Sequence, residues 1–162
     1  MKILFSLLLL GTAAQFAHGA DSCVSDNPSI SRIQSEWTHT TAPANPQFQS
    51  AFSPTLVKLL PVAQAESRFG VLKIKSRKTM QFFSQYQWTV ETDGDYWLVA
   101  DSGAWLDVRD AGQALEPLTF NHGLRCAGIH KALKFHLHRG SYSLLVASDE
   151  VDTVRLAADL ER

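Results

Sequence analysis

The clearest alternation of apolar and polar positions lies in the last third of the chain. Residues 131–137, KALKFHL, place leucine and phenylalanine on one face and lysine and histidine on the other. This period of two is typical of a half-buried β-strand. After Arg139-Gly140, residues 141–147 begin a second alternating run. The pattern predicts an antiparallel hairpin over residues 131–147, closed by a short glycine-containing turn.

Shorter runs of the same kind occur throughout the second half of the chain. They predict strands over residues 80–90, 96–100, 105–109, 114–118 and 153–160. Residues 96–100 are almost all apolar, which predicts a strand covered on both faces. Two further strands are expected within 52–75, on either side of 63–68. Eight or nine short strands predict an all-β fold, an antiparallel β-sandwich that is jelly-roll-like.

The segment before these strands has a different composition. Residues 20–50 are rich in Ser, Thr, Asn, Gln and Pro and show no sustained period, which predicts an extended, irregular N-terminal arm before a β-sandwich domain at 51–162. The spacing of Ile30, Ile33 and Trp37 indicates about one helical turn, with Asn27 or Ser29 as its cap.

The first residues have the pattern of a secretory signal peptide. A lysine at position 2 precedes an apolar run to Leu10 and then small residues, which predicts a signal peptide over 1–19 cut near Gly19/Ala20. The run is shorter than the roughly 20 apolar residues of a transmembrane helix. We therefore expect a periplasmic or secreted protein with no transmembrane segment in its mature chain of 143 residues, the 162 less 19.

Charge restricts the range of partners. Loss of Lys2 from the 15 basic residues leaves 14, against 16 acidic residues. This balance, without a run of Lys or Arg, argues against nucleic acid as a partner. A small ligand, a glycan or an envelope protein remains as the expected partner.

The two cysteines, Cys23 and Cys126, are both retained after this cleavage. In an oxidising compartment the simplest expectation is a disulfide between them. A crosslink across such a long loop would stabilise the fold by about 4–5 kcal/mol on the chain-entropy model. Two alternatives stay open: Cys23 as a lipid-modified residue, and Cys126 as a metal thiolate.

Histidines give the strongest indication of chemistry. His122, His130, His136 and His138 surround Cys126 in sequence and form a candidate site for copper or zinc. Against this, Lys134 shares the face of His136 and would repel a cation, so solvated or capping histidines are the alternative and no cofactor is the expectation.

Other candidate positions are few. The chain has no G-x-S-x-G or H-E-x-x-H motif, and the sequence assigns no catalytic residue. Trp105 shares a strand face with the charged residues Asp107 and Arg109, which makes it a candidate exposed ring for stacking on a ligand. Lys131 is expected to be a charge on an edge strand.

Three segments, SGAWLDV (102–108), HGLRCAGIHK (122–131) and FHLHRGSYSLLVA (135–147), give a resemblance. They resemble a family of small exported bacterial β-domain proteins of uncharacterised function with an HG-x-x-C-x-GI-x-K loop, often labelled homogentisate 1,2-dioxygenase. That label implies a small metal-dependent oxygenase. The chain is much shorter than that cupin-type enzyme and shows no obvious two-histidine-one-carboxylate set. We therefore expect a non-enzymatic binding or accessory protein, with a metal-binding protein or oxygenase as the alternative.

Overall fold

The computed structural model describes residues 27–37, 47–48, 52–74, 77–126 and 128–162, without the side chains of 47–48, 52–53 and 122–126. The signal peptide and its cut lie outside these residues and stay predictions. The described residues form two helices, α1 (Pro28–Trp37) and α2 (Val62–Phe69). The strands are β1 (Gln47–Phe48), β2 (Phe52–Lys58), β3 (Leu60–Pro61), β4 (Phe82–Val90), β5 (Gly94–Ala100), β6 (Trp105–Asp110), β7 (Gln113–Ala114), β8 (Thr119–Cys126), β9 (Ile129–Leu137), β10 (Gly140–Ser148) and β11 (Thr153–Leu160).

The strands form two sheets that pack face to face. Sheet A has the order β1-β4-β10-β6-β7, with β3 also paired to β4, and sheet B has the order β2-β11-β5-β9-β8. Four antiparallel pairs are nested along the chain, namely β2 with β11, β4 with β10, β5 with β9 and β6 with β7. A long hairpin folded over on itself gives this nesting, which is the jelly-roll arrangement. The predicted all-β sandwich is confirmed.

The space between the sheets is filled by apolar side chains. Strand alternation directs every second residue inward, so Trp88, Phe135 and Leu144 meet from three different strands and are almost completely buried. Trp88 and Tyr96 pack edge to face with ring centroids 5.9 Å apart. The strand predicted over residues 80–90 contributes to this core through Trp88 and Val90.

A helix covers part of the outer face of each sheet. On sheet B, Ile30, Ile33 and Trp37 of α1 pack on Trp97 and on other side chains of β5, β9 and β11. On sheet A, α2 and the residues beside it pack on Phe83 and its neighbours in β10. This cover explains why 96–100 is apolar at every position: β5 is buried on both faces, as predicted.

Helix α1 differs from the predicted irregular arm. It spans ten residues rather than one turn, because Ile30, Ile33 and Trp37 form a stripe that sheet B buries. The Asn27 side chain accepts hydrogen bonds from the amides of Ser29 (3.0 Å) and Ile30 (3.2 Å), which confirms Asn27 as the cap.

The C-terminal strand holds this helix in place. Glu161 accepts hydrogen bonds from Asn27 Nδ2 (2.9 Å) and Trp97 Nε1 (3.1 Å) and forms an ion pair with Lys134. These contacts, that to Lys134 first, hold the pKa of the Glu161 carboxyl below its usual value. Arg32 of the helix forms a second ion pair, with Asp159 of β11, so α1 is fastened to the C-terminal end of the chain at two points.

The predicted hairpin over 131–147 is wrong in its pairing. Strand β9 lies in sheet B between β5 and β8, whereas β10 lies in sheet A between β4 and β6. The connection at His138–Arg139 is therefore an arch between sheets. Alternation is satisfied equally well by both arrangements, because the apolar faces of β9 and β10 meet across the core rather than side by side.

Two further sequence predictions are corrected here. The second strand expected within 52–75 is absent: α2 occupies 62–69, and residues 70–74 form no regular element. The strand expected over 114–118 shrinks to the two residues of β7. The turn between β6 and β7 has positive φ at Ala111 (45°) and Gly112 (84°).

Candidate functional site

The candidate metal-binding histidines do not gather in one place. His130 is at the start of β9 and His136 near its end, and six residues of extended strand separate their α-carbons by about 20 Å. The backbone of His122 pairs with Lys131, at the end of β9 where His130 lies. The side chain of His122 is not among those that the structure describes. A single site built from His122, His130, His136 and His138 is therefore incompatible with the strand.

His136 and His138 do lie together, on the exposed face of sheet B beside the arch. Their ring centroids are 5.2 Å apart and the ring planes are at 88°. His136 Nδ1 lies 2.7 Å from Asp95 Oδ1, and His138 Nδ1 lies 3.3 Å from Asp93 Oδ2. Each imidazole is thus held through its Nδ1 atom by one aspartate.

Both aspartates are themselves held by neighbours. Asp93 Oδ1 accepts the backbone N–H of Arg139 at 2.6 Å, and this bond, followed by that to His138, lowers the pKa of Asp93. The pKa of Asp95 is lowered by His136 and then by Lys134, whose Nζ lies 3.1 Å from Asp95 Oδ2. Both carboxyls therefore stay ionised well below neutral pH.

The other cysteine and histidine predictions remain partly open. The structure does not describe Cys23 or the side chain of Cys126, so the Cys23–Cys126 disulfide stays a prediction. The Nδ1 atom of His130 is buried and has no hydrogen-bond partner in the described part of the chain. Within that part, no group of three or more His, Cys, Asp or Glu side chains is placed to hold a metal ion.

Lys131 is not the edge-strand charge expected from the sequence. It is on β9, flanked by Ala100 of β5 and His122 of β8, and its residue is only 6% exposed. Its ammonium group donates to the carbonyl oxygens of Gly103 (3.2 Å) and Ala104. Burial lowers the pKa of Lys131. Lys131 thus fastens the loop between β5 and β6 to the end of the sandwich.

Trp105, the candidate stacking ring, is half-buried rather than open in a groove. It lies on the outer face of sheet A and packs against the cluster that α2 covers. Its indole Nε1 is buried, without a hydrogen-bond partner among the residues that the structure describes. Its observed surroundings favour packing over stacking on a ligand.

A groove with open polar surface lies elsewhere on sheet A, beside the part that α2 covers. It has a volume of about 430 Å³. Its floor is formed by Gln85 and Gln87 of β4 and by Ser141 and Ser143 of β10. Gln85 Nε2 donates to Ser143 Oγ and Gln87 Nε2 to Ser141 Oγ, both at 2.7 Å. The bonds run diagonally, since Gln87 is directly opposite Ser143.

The walls of the groove come from three elements. Phe69, at the end of α2, is on one side, and the Ala111–Gly112 turn and Arg109 are on another. The Nε and Nη2 atoms of Arg109 donate to Asp107 Oδ2 at 2.9 and 2.8 Å, and Nη2 also contacts the Lys73 carbonyl at 3.3 Å. The guanidinium is therefore fixed in direction while its Nη1 has no partner within the described ranges.

The floor residues retain hydrogen-bonding capacity. Each glutamine uses one N–H, leaving Oε1 and a second N–H, and each serine hydroxyl still has its own proton to donate. No other residue of the described chain uses these atoms. The groove thus offers alternating donors and acceptors at two steps along the strands, about 6.8 Å apart.

The sequence predicts which side chains of each strand can line this groove, but not which strands form it. Alternation places Gln85 and Gln87 on the face opposite Trp88, and Ser141 and Ser143 on the face opposite Leu144. What it could not supply is that β4 and β10 are neighbours, with Gln87 opposite Ser143.

No family model matches the chain, and no curated protein is significantly similar to it. Among the residues that the structure describes, neither helix is long and apolar enough to cross a bilayer.

Proposed function

We propose that this is a non-enzymatic binding protein whose small polar ligand occupies the groove on sheet A. The observation that carries the proposal is the pair of Gln–Ser contacts, which fix four side chains yet leave donors and acceptors directed at an open surface. The volume of the groove is within the range of small-molecule sites.

The chemistry of the groove favours a saccharide. A sugar hydroxyl both donates and accepts a hydrogen bond, which suits amide and hydroxyl groups that each have both capacities left. Phe69 offers a partly exposed ring against which the apolar face of a pyranose can pack. Nη1 of Arg109, which has no partner among the residues that the structure describes, adds a charged donor.

The residues that line the groove also support binding without catalysis. They include no histidine, cysteine or carboxylate, so Ser141 and Ser143 have no general base beside them within this groove. Their hydroxyls accept from glutamine amides instead. Between the sheets, apolar side chains fill the described core.

We place the protein in the periplasm or outside the cell, on the strength of the leader-like residues 1–19. The N-terminus of the chain recovered from the periplasmic fraction tests this location. We expect it to begin near Ala20, and recovery of the intact chain in the cytoplasm would contradict it.

The ligand is tested by calorimetry of the mature protein against neutral mono- and oligosaccharides. Gln87→Ala removes one groove amide and should weaken binding about 2- to 12-fold, the equivalent of one neutral hydrogen bond. Gln81→Ala, an exposed glutamine before β4, is the matched control and should leave affinity unchanged. A saccharide affinity that is unchanged in Gln87→Ala, or no binding of any saccharide in the panel, would refute the proposal.

A further inference from the structure

We propose that His136 and His138 form a surface binding site for a divalent transition-metal ion of the zinc and copper class. The two side chains occupy alternate positions on one face of β9 and its end, and their rings are 5.2 Å apart. This site is separate from the groove, because β9 belongs to sheet B and the groove to sheet A.

The ring separation fits a shared ion. A zinc–nitrogen bond is about 2.0–2.1 Å long, which puts the imidazole centre about 3.2 Å from the metal. Two such rings at a tetrahedral angle have centres about 5.2 Å apart. The observed distance between the ring centroids of His136 and His138 is therefore compatible with two ligands of one ion.

The aspartates orient the rings for this role. A metal-ligating histidine commonly gives its second ring nitrogen to a carboxylate, which fixes the tautomer and makes the ligand more basic. Asp95 and Asp93 engage Nδ1 of His136 and His138 respectively, which leaves Nε2 of each ring as the ligand atom. The two carboxylates also place negative charge beside the rings, which attracts a cation to this face.

The nearby lysine does not oppose an ion as the sequence suggested. The ammonium group of Lys134 lies between Asp95 and Glu161 and forms ion pairs with both. Counting Asp93 as well, three carboxylates lie around the two imidazoles with one lysine, so the carboxylates outnumber the ammonium group. Arg139 is exposed at the arch, and its backbone N–H, rather than its side chain, binds Asp93.

The site has two protein ligands, since the described residues include no third donor placed to join them. Water or a donor from another molecule would complete the coordination. Such a site is open, which is the arrangement of metal centres that exchange ligands rather than of closed structural sites.

The test is calorimetric titration of the mature, tag-free protein with Zn²⁺ and Cu²⁺. We expect one ion per chain, and at least a tenfold loss of affinity in His136→Ala and in His138→Ala. Both side chains are more than half exposed (52% and 73%), so these variants should keep the circular dichroism spectrum of the parent. His130→Gln, at the other end of β9, is the matched control and should bind as the parent does.

A second variant tests whether Asp95 orients the His136 ring for binding of the metal ion. Asp95→Asn keeps both imidazoles but weakens the hold on Nδ1 of His136, and loss of such a partner typically costs about 10- to 100-fold in metal affinity. An affinity unchanged in both histidine variants, stoichiometric binding lost only in His130→Gln, or no binding of either ion by the parent would overturn the proposal.

Discussion

Gly128 gives the sharpest test of how α1 sits on sheet B. The glycine is in the turn between β8 and β9 with φ of +82°, and a β-carbon built there would be 3.2 Å from Nε1 of Trp37 at the end of α1. Gly112 has almost the same φ, +84°, but a β-carbon there meets no atom within 4 Å. The two glycines therefore differ in surroundings and not in backbone conformation.

The difference between the two alanine variants isolates the contact with Trp37. A left-handed alanine costs about 1–2 kcal/mol, of which about 0.4–1 kcal/mol is offset by the stiffer unfolded chain. Gly112→Ala should therefore lower the free energy of unfolding by up to about 1.6 kcal/mol. Gly128→Ala adds the overpacking of a buried indole, about 1–3 kcal/mol, since Trp37 is only 3% exposed.

The assay is urea unfolding of both variants followed by far-ultraviolet circular dichroism. In a Trp37→Phe background the indole nitrogen is gone, so Gly128→Ala should lose its excess cost while Gly112→Ala keeps its own. Equal destabilisation by the two glycine variants, or an excess that persists in the Trp37→Phe background, would show that α1 does not pack on this turn.

Three further predictions address other parts of the fold. Because its partners lower the pKa of Glu161, that carboxylate stabilises the fold at neutral pH and the contribution is lost as pH falls through the depressed value. Between about pH 6 and about pH 3 the urea midpoint of Glu161→Gln should fall less than that of the parent. An equal fall would contradict the stabilising contacts of Glu161 with Lys134, Trp97 and Asn27. Ala111 has φ of 45° in the β6–β7 turn, so Ala111→Gly should raise the free energy of unfolding by about 1 kcal/mol, and a lower midpoint would exclude this turn. A thiol titration of the unfolded, unreduced protein should find no free cysteine if Cys23 and Cys126 are paired, and two reactive thiols would refute the disulfide.

Alternation in the sequence predicts which side chains face the core, and the structure bears this out where strands are long. Leu133 and Phe135 of β9 and Leu144 of β10 all point inward as expected. The same parity also places Lys131 on the inward face, two residues before Leu133. Lys131 was interpreted as an edge-strand charge because it is a lysine. Its position in the alternating pattern predicts the inward face, where the structure places it.

Which strands pair could not be predicted from the same pattern. A short connection after an alternating strand can form either a hairpin within one sheet or an arch between two sheets. The connection between β9 and β10 is an arch. The choice depends on distant strands: β10 fits between β4 and β6, and β9 lies beside β5. The pairings of β10 with β6 and of β9 with β5 join residues that are far apart in sequence, so they carry no local signal.

The length of α1 was underestimated for a related reason. Ile30, Ile33 and Trp37 have helical spacing, but an isolated helix of ten residues is only marginally stable in water. Its stability comes from burial against Trp97 and Val99, which are distant in sequence. The apolar outer face of residues 96–100 was the evidence that some element had to cover sheet B, and this stripe is the matching surface.

The two proposed sites follow from where the helices end. On sheet A, α2 covers the apolar half around Phe83 and leaves the polar half, with Gln87 and Ser141, open to solvent. On sheet B, α1 covers Trp97 and Ala132 and leaves His136 exposed. In a jelly roll whose core is filled by apolar side chains, the uncovered outer faces are the surfaces left for binding. The polar residues that interrupt the apolar pattern of β4, β9 and β10 mark these surfaces, because a helix cannot bury them without leaving their hydrogen bonds unmade.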